Sequence, residues 1–255
     1  MSTFNALYAR HYDLMYAGKT YAEEAAYALR ALHESGITTG RLFSVGAGTL
    51  NYELLLAQEG FDITGIDLSP SMVELGQQKL SEAGITSVHL AVGDMRSIEE
   101  PAEKFDAAVV LFNVISYCST KEELVQVFFG LAQSVRAGGI VVLDCWNGDA
   151  VRNSPPESRW KKFSKDTIDL YRLTEVVAQD GPAVSLSIEL LEVSDGVLTD
   201  RSTEVHAVRG WDRTELHELA AEAGLELLHE SLFPEWETPV DTTRWALGAV
   251  WQKKS

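Results

Sequence analysis

The chain is short of positive charge: 21 lysines and arginines stand against 38 aspartates and glutamates, a formal net charge of −17 over 255 residues. Such a surface repels phosphate backbones, which argues against a nucleic-acid partner unless a local basic patch offsets it. The run RWKKFSK at 159–165 is the one candidate, and a short run of this kind is usually a solvated face. Cysteine is nearly absent. Cys118 and Cys145 match no zinc spacing and each lies beside an expected strand, so reduced structural thiols are expected rather than a disulfide. No apolar run approaches a membrane span, and residues 1–5 lack the basic start and apolar stretch of a signal peptide, which gives the expectation of a cytoplasmic protein with no membrane partner. Repeats and low-complexity tracts are missing. Gathered carboxylates are missing too: DCWNGD offers only Asp144 and Asp149, so no metal is expected. What the chain does have is 45% hydrophobic residues, ample for a buried core.

Those apolar residues are patterned. YAEEAAYALRAL at 21–32 has helical spacing and ends at Gly36 and Gly40, before the strand RLFSVG. NYELLLAQEG reads as a helix stopped by Gly60, and DITGIDLS as a strand with Asp67 at its end. SPSMVELGQQKLSEAG gives a helix with Ser69 as N-cap and Pro70 in its first turn. SVHLAVGD, FDAAVVLF and IVVLDCW continue the strands, with the helix KEELVQVFFGLAQSV between the last two. Alternation of this kind predicts an α/β fold, a mostly parallel sheet with helices on both faces. From 166 to 208 the pattern changes to alternating segments separated by QDGP and SDGV, which predicts a small antiparallel β insertion. Asp212 and Glu215 are spaced as a capping box for a last helix, after which LELLHESLF and RWALGAVWQ supply two final strands.

The glycine pair in LFSVGAGTLN falls at the end of the first strand, where ligands collect in open parallel sheets. Glycine there permits a sharp turn and a close backbone approach. Two nucleotide cofactors use such a loop. The dinucleotide fingerprint wants a third glycine, and Asn51 stands in its place. Asp67 suits a pair of ribose hydroxyls under either reading.

LFSVGAGT, GIDLSPSM, VGDMRS, FDAAVVLFNVISY and RAGGIVVLDCW, in this order across 41–146, resemble the class I methyltransferases that use S-adenosylmethionine. The resemblance implies a seven-stranded sheet whose last strand is antiparallel. It implies that Gly46, Ala47 and Gly48 contact the methionine part of the cofactor and Asp67 its ribose. Leu68 and Met72 would surround the adenine, Asp94 and Met95 would hold its amino group and face, and Phe112 would join the cofactor contacts. Ala47 and Leu50 depart from the family's commoner glycine-rich loop. Ala47 adds little bulk, and Leu50 implies that the following turn stays in ordinary backbone space.

YARHYDLMYAGKTYAEEA resembles, more narrowly, the amino end of small-molecule N-methyltransferases that dimethylate amino sugars for macrolides, with relatives acting on other antibiotic sugars such as lincosamides. By that resemblance 1–40 is a helical lid, 41–150 the cofactor-binding core, 151–210 the antiparallel insertion that caps the acceptor or makes oligomer contacts, and 211–255 the completion of the sheet. Tyr12, Tyr16 and Lys19 would face the methionine end and Tyr8 the acceptor; alternatively the tyrosines, at helical spacing, only pack on the body. NVISY, holding Asn113 and Tyr117, resembles the acceptor-facing segment, although Asn113 replaces the histidine or serine often found there. It can orient an acceptor but not deprotonate it, or it is simply a loop cap. His206 faces either the site or solvent. Trp146, Trp211 and Trp236 line an acceptor pocket or pack in the core; Glu237 and Asp241 pair with an ammonium substrate or point to water.

His206 is the sole candidate base, which favours an amine acceptor over oxygen. The expected activity is S-adenosylmethionine-dependent methylation of a small-molecule amine of the amino-sugar or antibiotic type, by a chain that forms homo-oligomers if the insertion supplies contacts. Competing expectations are O-methylation of a sugar or phenol with His206 as base, a noncatalytic cofactor-binding subunit, and a NAD-dependent oxidoreductase.

Overall fold

The computed structural model describes residues 4–254. Its centre is a seven-stranded sheet built from β1 (Gly40–Val45), β2 (Phe61–Asp67), β3 (Val88–Val92), β4 (Phe105–Val110), β5 (Val135–Trp146), β10 (Leu225–Leu232) and β11 (Ala246–Lys253), in the order β10-β11-β5-β4-β1-β2-β3. β1 pairs in parallel with both β2 and β4, so the strand order reverses there and a crevice opens at the carboxyl ends. β11 runs antiparallel to both β5 and β10, the expected reversed last strand.

Strands covered on both faces must be apolar at nearly every position, and β1 sends Leu42 to one side and Phe43 to the other. On one face α2 (Tyr21–Glu34), α3 (Glu53–Gln58) and α4 (Pro70–Ala83) pack Ala28, Leu32, Leu56 and Val73 against Leu42, Ile63 and Val142. On the other, α5 (Lys121–Ser134) and α7 (Arg213–Glu222) bury Leu124, Phe128 and Leu219 against Phe43, Val110 and Trp251. Cys118 and Cys145 are buried free thiols in this second layer. Ser69 caps α4 as expected, its hydroxyl accepting from Met72 N at 3.3 Å, with Pro70 in the first turn.

A second sheet, β6-β7-β8-β9, is antiparallel throughout: β6 (Arg159–Lys165), β7 (Ile168–Asp180), β8 (Ala183–Ser194) and β9 (Val197–Arg209). Its inner face carries Leu170, Ile188 and Leu190. These pack with Leu7, Tyr8, Tyr12 and Met15 of α1 (Ala6–Met15) and with Met72 of α4. Helix α1 is thereby held between the core and the second sheet; α6 (Gly148–Asn153) follows β5.

The basic run 159–165 is exposed at nearly every position, as expected, and forms strand β6, paired with β7 from Arg159↔Thr174 to Lys165↔Ile168. Two local expectations need correction. Asp212 sits at the N-cap of α7 without a side-chain cap bond. Its carboxylate pairs with Arg152, while Glu215 pairs with Lys121 and Arg209, so ion pairs displace the box. A true capping box forms instead at Thr120 and Glu123 on α5. Finally, Leu50 does not stay in ordinary backbone space but adopts φ 69°. Left-handed backbone costs roughly 1–2 kcal/mol, and full burial of a leucine side chain offsets that with roughly 1.5–3 kcal/mol.

Candidate active site

The ends of β1, β2 and β4, the inner face of the second sheet and α1 enclose a cavity of about 440 Å³. Its core side is built on backbone. Gly46 N and Ala47 N both donate to Ile66 O, at 2.8 and 3.0 Å, which ties the glycine loop to the end of β2. Gly46 has φ 73°, and a Cβ there would come within 2.4 Å of Val114 Cγ2, so no other residue fits without displacement. Asp67 follows on β2 and accepts from Gly48 N at 2.9 Å and from Ser69 N at 2.8 Å, one amide on each carboxylate oxygen. Burial raises its carboxyl above the usual value, opposed by those two amides. Each oxygen keeps a second lone pair, so the group still fits a vicinal diol. Leu68 and Met72 line the same side.

Asp94 and Met95 also line the cavity. Asp94 is gripped by Arg96, whose guanidinium holds the carboxyl below its usual range, and Arg96 reaches on to Glu123. At the end of β4, Phe112 and Asn113 both take positive φ, 76° and 59°, and their amides donate to Asp144 at 2.5 and 3.1 Å. Asp144, considered above as a thin metal candidate, is therefore the clamp on this turn. Burial, with the charge of Glu24 adding to it, pushes its carboxyl up to about 7. The turn presents Asn113, whose Oδ1 is buried and has no hydrogen-bond partner among the described residues. Among those residues no group of three or more metal-ligating side chains occurs.

Helix α1 and its C-cap contribute Tyr8, Tyr12 and Tyr16 to the lining. The tyrosines do pack, but into the cavity wall: Tyr8 and Tyr16 hydroxyls are 3.1 Å apart, and Arg172 of β7 donates to the Tyr16 hydroxyl at 3.2 Å. Contacts fix α1 on both sides, a hydrogen bond between His11 and Glu192 of β8 and an ion pair between Asp13 and Lys79 of α4. Lys19 and Ala47 are not among the lining residues. Lys19 pairs with Glu24 and lies 4.2 Å from the centre of the Phe112 ring, one layer behind the cavity.

The acceptor-side expectations divide. His206 faces inward, 2% exposed, 2.8 Å from the Tyr117 hydroxyl through Nδ1 and 2.9 Å from Glu204 through Nε2. Trp146 lines the cavity. Trp211 instead is core, its indole donating to Ile115 O, and Trp236 stacks on His229 at 3.8 Å. Glu237 pairs with Arg30 and Asp241 with Arg244; neither reaches the cavity. Sequence reasoning missed Phe4, Glu204, Arg159 and Arg172, all lining the cavity or bonded to its wall. Alternation held the signal: Glu204 and His206, like Arg172 and Thr174, are two apart on strands and must share a face.

Residues 43–139 match the methyltransferase domain family. Over 222 residues the chain is 28% identical to the dTDP-3-amino-3,4,6-trideoxy-alpha-D-glucopyranose N,N-dimethyltransferase of Streptomyces venezuelae, covering 86% of this chain and 78% of that one. Its fold is that of an S-adenosylmethionine-dependent methyltransferase from Clostridium acetobutylicum, with TM-score 0.82, 17% identity and full coverage of both chains. It is likewise that of the sugar N-methyltransferase KedS8 from a Streptoalloteichus species, with TM-score 0.77, 23% identity, and 96% and 93% coverage. Residues 43–139 thus carry a methyltransferase domain, with a glycine loop tied to β2, an acidic group beside it and a cavity over the switch point, and the fold is that of S-adenosylmethionine-dependent methyltransferases.

Proposed function

We propose that the chain methylates an amine nitrogen of a small molecule of the amino-sugar or antibiotic type, the acceptor also bearing an anionic group such as the diphosphate of a nucleotide-linked sugar. The observation that carries this reading is a pair of arginines. Among the described residues Arg159 and Arg172 are the arginines without a carboxylate partner, in a chain of net charge −17, and both line the one cavity. Arg159 is exposed, but Arg172 is buried, and a buried guanidinium left without a counterion is costly, a cost that a bound anion relieves. The name of the Streptomyces relative gives a dTDP-linked amino sugar, a compound with both an amine and a diphosphate.

S-adenosylmethionine supplies a methyl group already made electrophilic by its sulfonium. The residues therefore have mainly to align an unprotonated nitrogen with the methyl group, and good alignment is worth effective molarities on the order of 10⁵ M or more. Asp67, Leu68, Met72, Asp94 and Met95 hold the nucleoside, and Gly46 and Gly48 give the main chain room beside the sulfur. Tyr8, Asn113, Tyr117 and Trp146 surround the place where the acceptor nitrogen must sit. O-methylation is the second reading, favoured by the His206–Glu204 pair, which is built like a base. Incubation with S-adenosylmethionine and a dTDP-linked amino sugar or its hydroxy counterpart, followed by fragment mass spectrometry, tests both. Methyl groups on nitrogen are expected, and methylation confined to oxygen would sink the amine reading.

A further inference from the structure

We infer that Tyr117, His206 and Glu204 form a path that takes the acceptor's proton, and that the segment entering α1 is part of it; the inference rests on the amine reading above. Glu204 and His206 share the inner face of β9, 3% and 2% exposed, and Tyr117 meets them from the turn after β4. Their contacts are in series: Glu204 Oε2 to His206 Nε2 at 2.9 Å, then His206 Nδ1 to the Tyr117 hydroxyl at 2.8 Å. An ionised carboxylate can only accept, so Nε2 carries the hydrogen, Nδ1 is the acceptor and the Tyr117 hydroxyl donates to it. The phenol oxygen then keeps its lone pairs for a donor in the cavity.

Glu204 is suited to this place. Burial would raise its carboxyl, but hydrogen bonds from His206, Asn5 N and Phe4 N more than offset that and bring it below the usual value. Those amides bind it at 2.5 and 2.7 Å, so one carboxylate both orients the imidazole and anchors the chain leading into α1. The Phe4 ring lies edge-on to His206 at 5.2 Å and 5.8 Å from Tyr117, covering the pair. Other titratable groups face the path: Tyr8 of α1, its ring 5.6 Å from that of His206, with Tyr16 and Arg172 bonded behind it, and Asp67 across the cavity from Tyr117.

An ammonium acceptor gives its proton to the Tyr117 oxygen as the Tyr117 hydroxyl proton passes to Nδ1. The nitrogen keeps the electron pair it needs for attack, and the imidazolium stays bonded to Glu204. Tyr117 and His206 move the proton, whereas Glu204 acts through His206 as a positioning residue.

The test compares Tyr117→Phe, His206→Gln and Glu204→Gln with the parent. Each is expected to lower kcat/KM about tenfold or more near pH 7, with the deficit shrinking at higher pH as the amine arrives unprotonated. Calorimetric affinity for S-adenosylmethionine should stay within about twofold, since none of the three contacts the nucleoside side. Nitrogen-15 spectra of the His206 ring should show the Nε2–H tautomer in the parent and a redistribution in Glu204→Gln. A deficit equal at every pH, or an Nδ1–H ring in the parent, overturns the path. Should Glu204→Gln fail to fold, Tyr117→Phe, which removes one hydroxyl, decides alone. Methylation found on oxygen would defeat the amine reading instead, and the ring spectrum would still judge the path.

Discussion

Asp67 spends one lone pair of each oxygen on Gly48 N and Ser69 N, so its position is fixed before any ligand arrives. Replacing it with alanine removes the proposed acceptor for two ribose hydroxyls and also releases the glycine loop. Charge-assisted hydrogen bonds contribute roughly 1.5–3 kcal/mol each, so Asp67→Ala should weaken S-adenosylmethionine binding at least about tenfold. Near-parental affinity by titration calorimetry would remove the ribose assignment. Asn113 should behave in the opposite way if, as proposed, its Oδ1, without a partner among the described residues, faces the acceptor. Alanine alone is an ambiguous probe, since φ 59° strains any Cβ-bearing residue that lacks asparagine's tolerance of that region. Asn113→Gly keeps the turn and deletes only the carboxamide. Both variants are expected to lose turnover with cofactor affinity nearly intact, and full activity in the glycine variant would show that the side chain orients nothing.

Among elements, the second sheet and α1 convert a nucleotide crevice into an enclosed site. Arg172 sits where they meet, holding Tyr16 and lying 5.5 Å from its ring and 5.6 Å from that of Phe163. Arg172→Met keeps most of the packing stem and deletes the charge. The acceptor KM should rise about tenfold or more with S-adenosylmethionine affinity unchanged; a fall in cofactor affinity with a normal acceptor KM would assign the guanidinium to the methionine carboxylate instead. The parallel strands were legible because burial on both faces forces apolar runs, and FDAAVV or IVVLDCW admits little else. RWKKFSK was not, because β6 is an edge strand exposed at nearly every position and leaves no apolar alternation to read. The side of His206 was open for a related reason. Period two says that Glu204 and His206 agree, but only the register Leu186↔His206 and Ile188↔Glu204 says which face is inward. Leu50 escaped because its strain is offset by burial that no local pattern announces. Arg172 carries no local signal, because the lack of a carboxylate beside it is set by the fold and not by its neighbours in the chain.

At the scale of the whole molecule, two buried carboxyls set an uncommon pH response. Glu53, at the start of α3, accepts from the Ser44 hydroxyl at 2.5 Å through Oε1, while Oε2 is buried without a partner among the described residues, and burial raises the group to about 7. Asp144 is raised to about 7 by burial and the nearby charge of Glu24. Folded-state values above the unfolded ones mean that the native state keeps protons the unfolded chain has lost, so the stability these two groups contribute is fully present below the ordinary carboxylate range and is lost as pH rises through about 7. Asp13, Asp94, Asp106 and Glu204 are shifted downward, and what they contribute is lost only as pH falls below their ordinary range. The two trends place the stability maximum on the mildly acidic side, and Tm should be several degrees higher near pH 5.5 than near pH 8, given at most ~3 kcal/mol from the Glu53 shift and about 2–4 °C per kcal/mol in a chain of this size. The net charge of −17 also favours compaction at lower pH, but added salt screens that repulsion and leaves the desolvation of a buried carboxyl in place. Glu53→Gln mimics the protonated acid, keeping an oxygen for Ser44, and should flatten the dependence of Tm on pH in high salt. A parental slope in Glu53→Gln, or no slope in the parent, would mean that Glu53 is ionised in the native protein and that its unpartnered oxygen has found water.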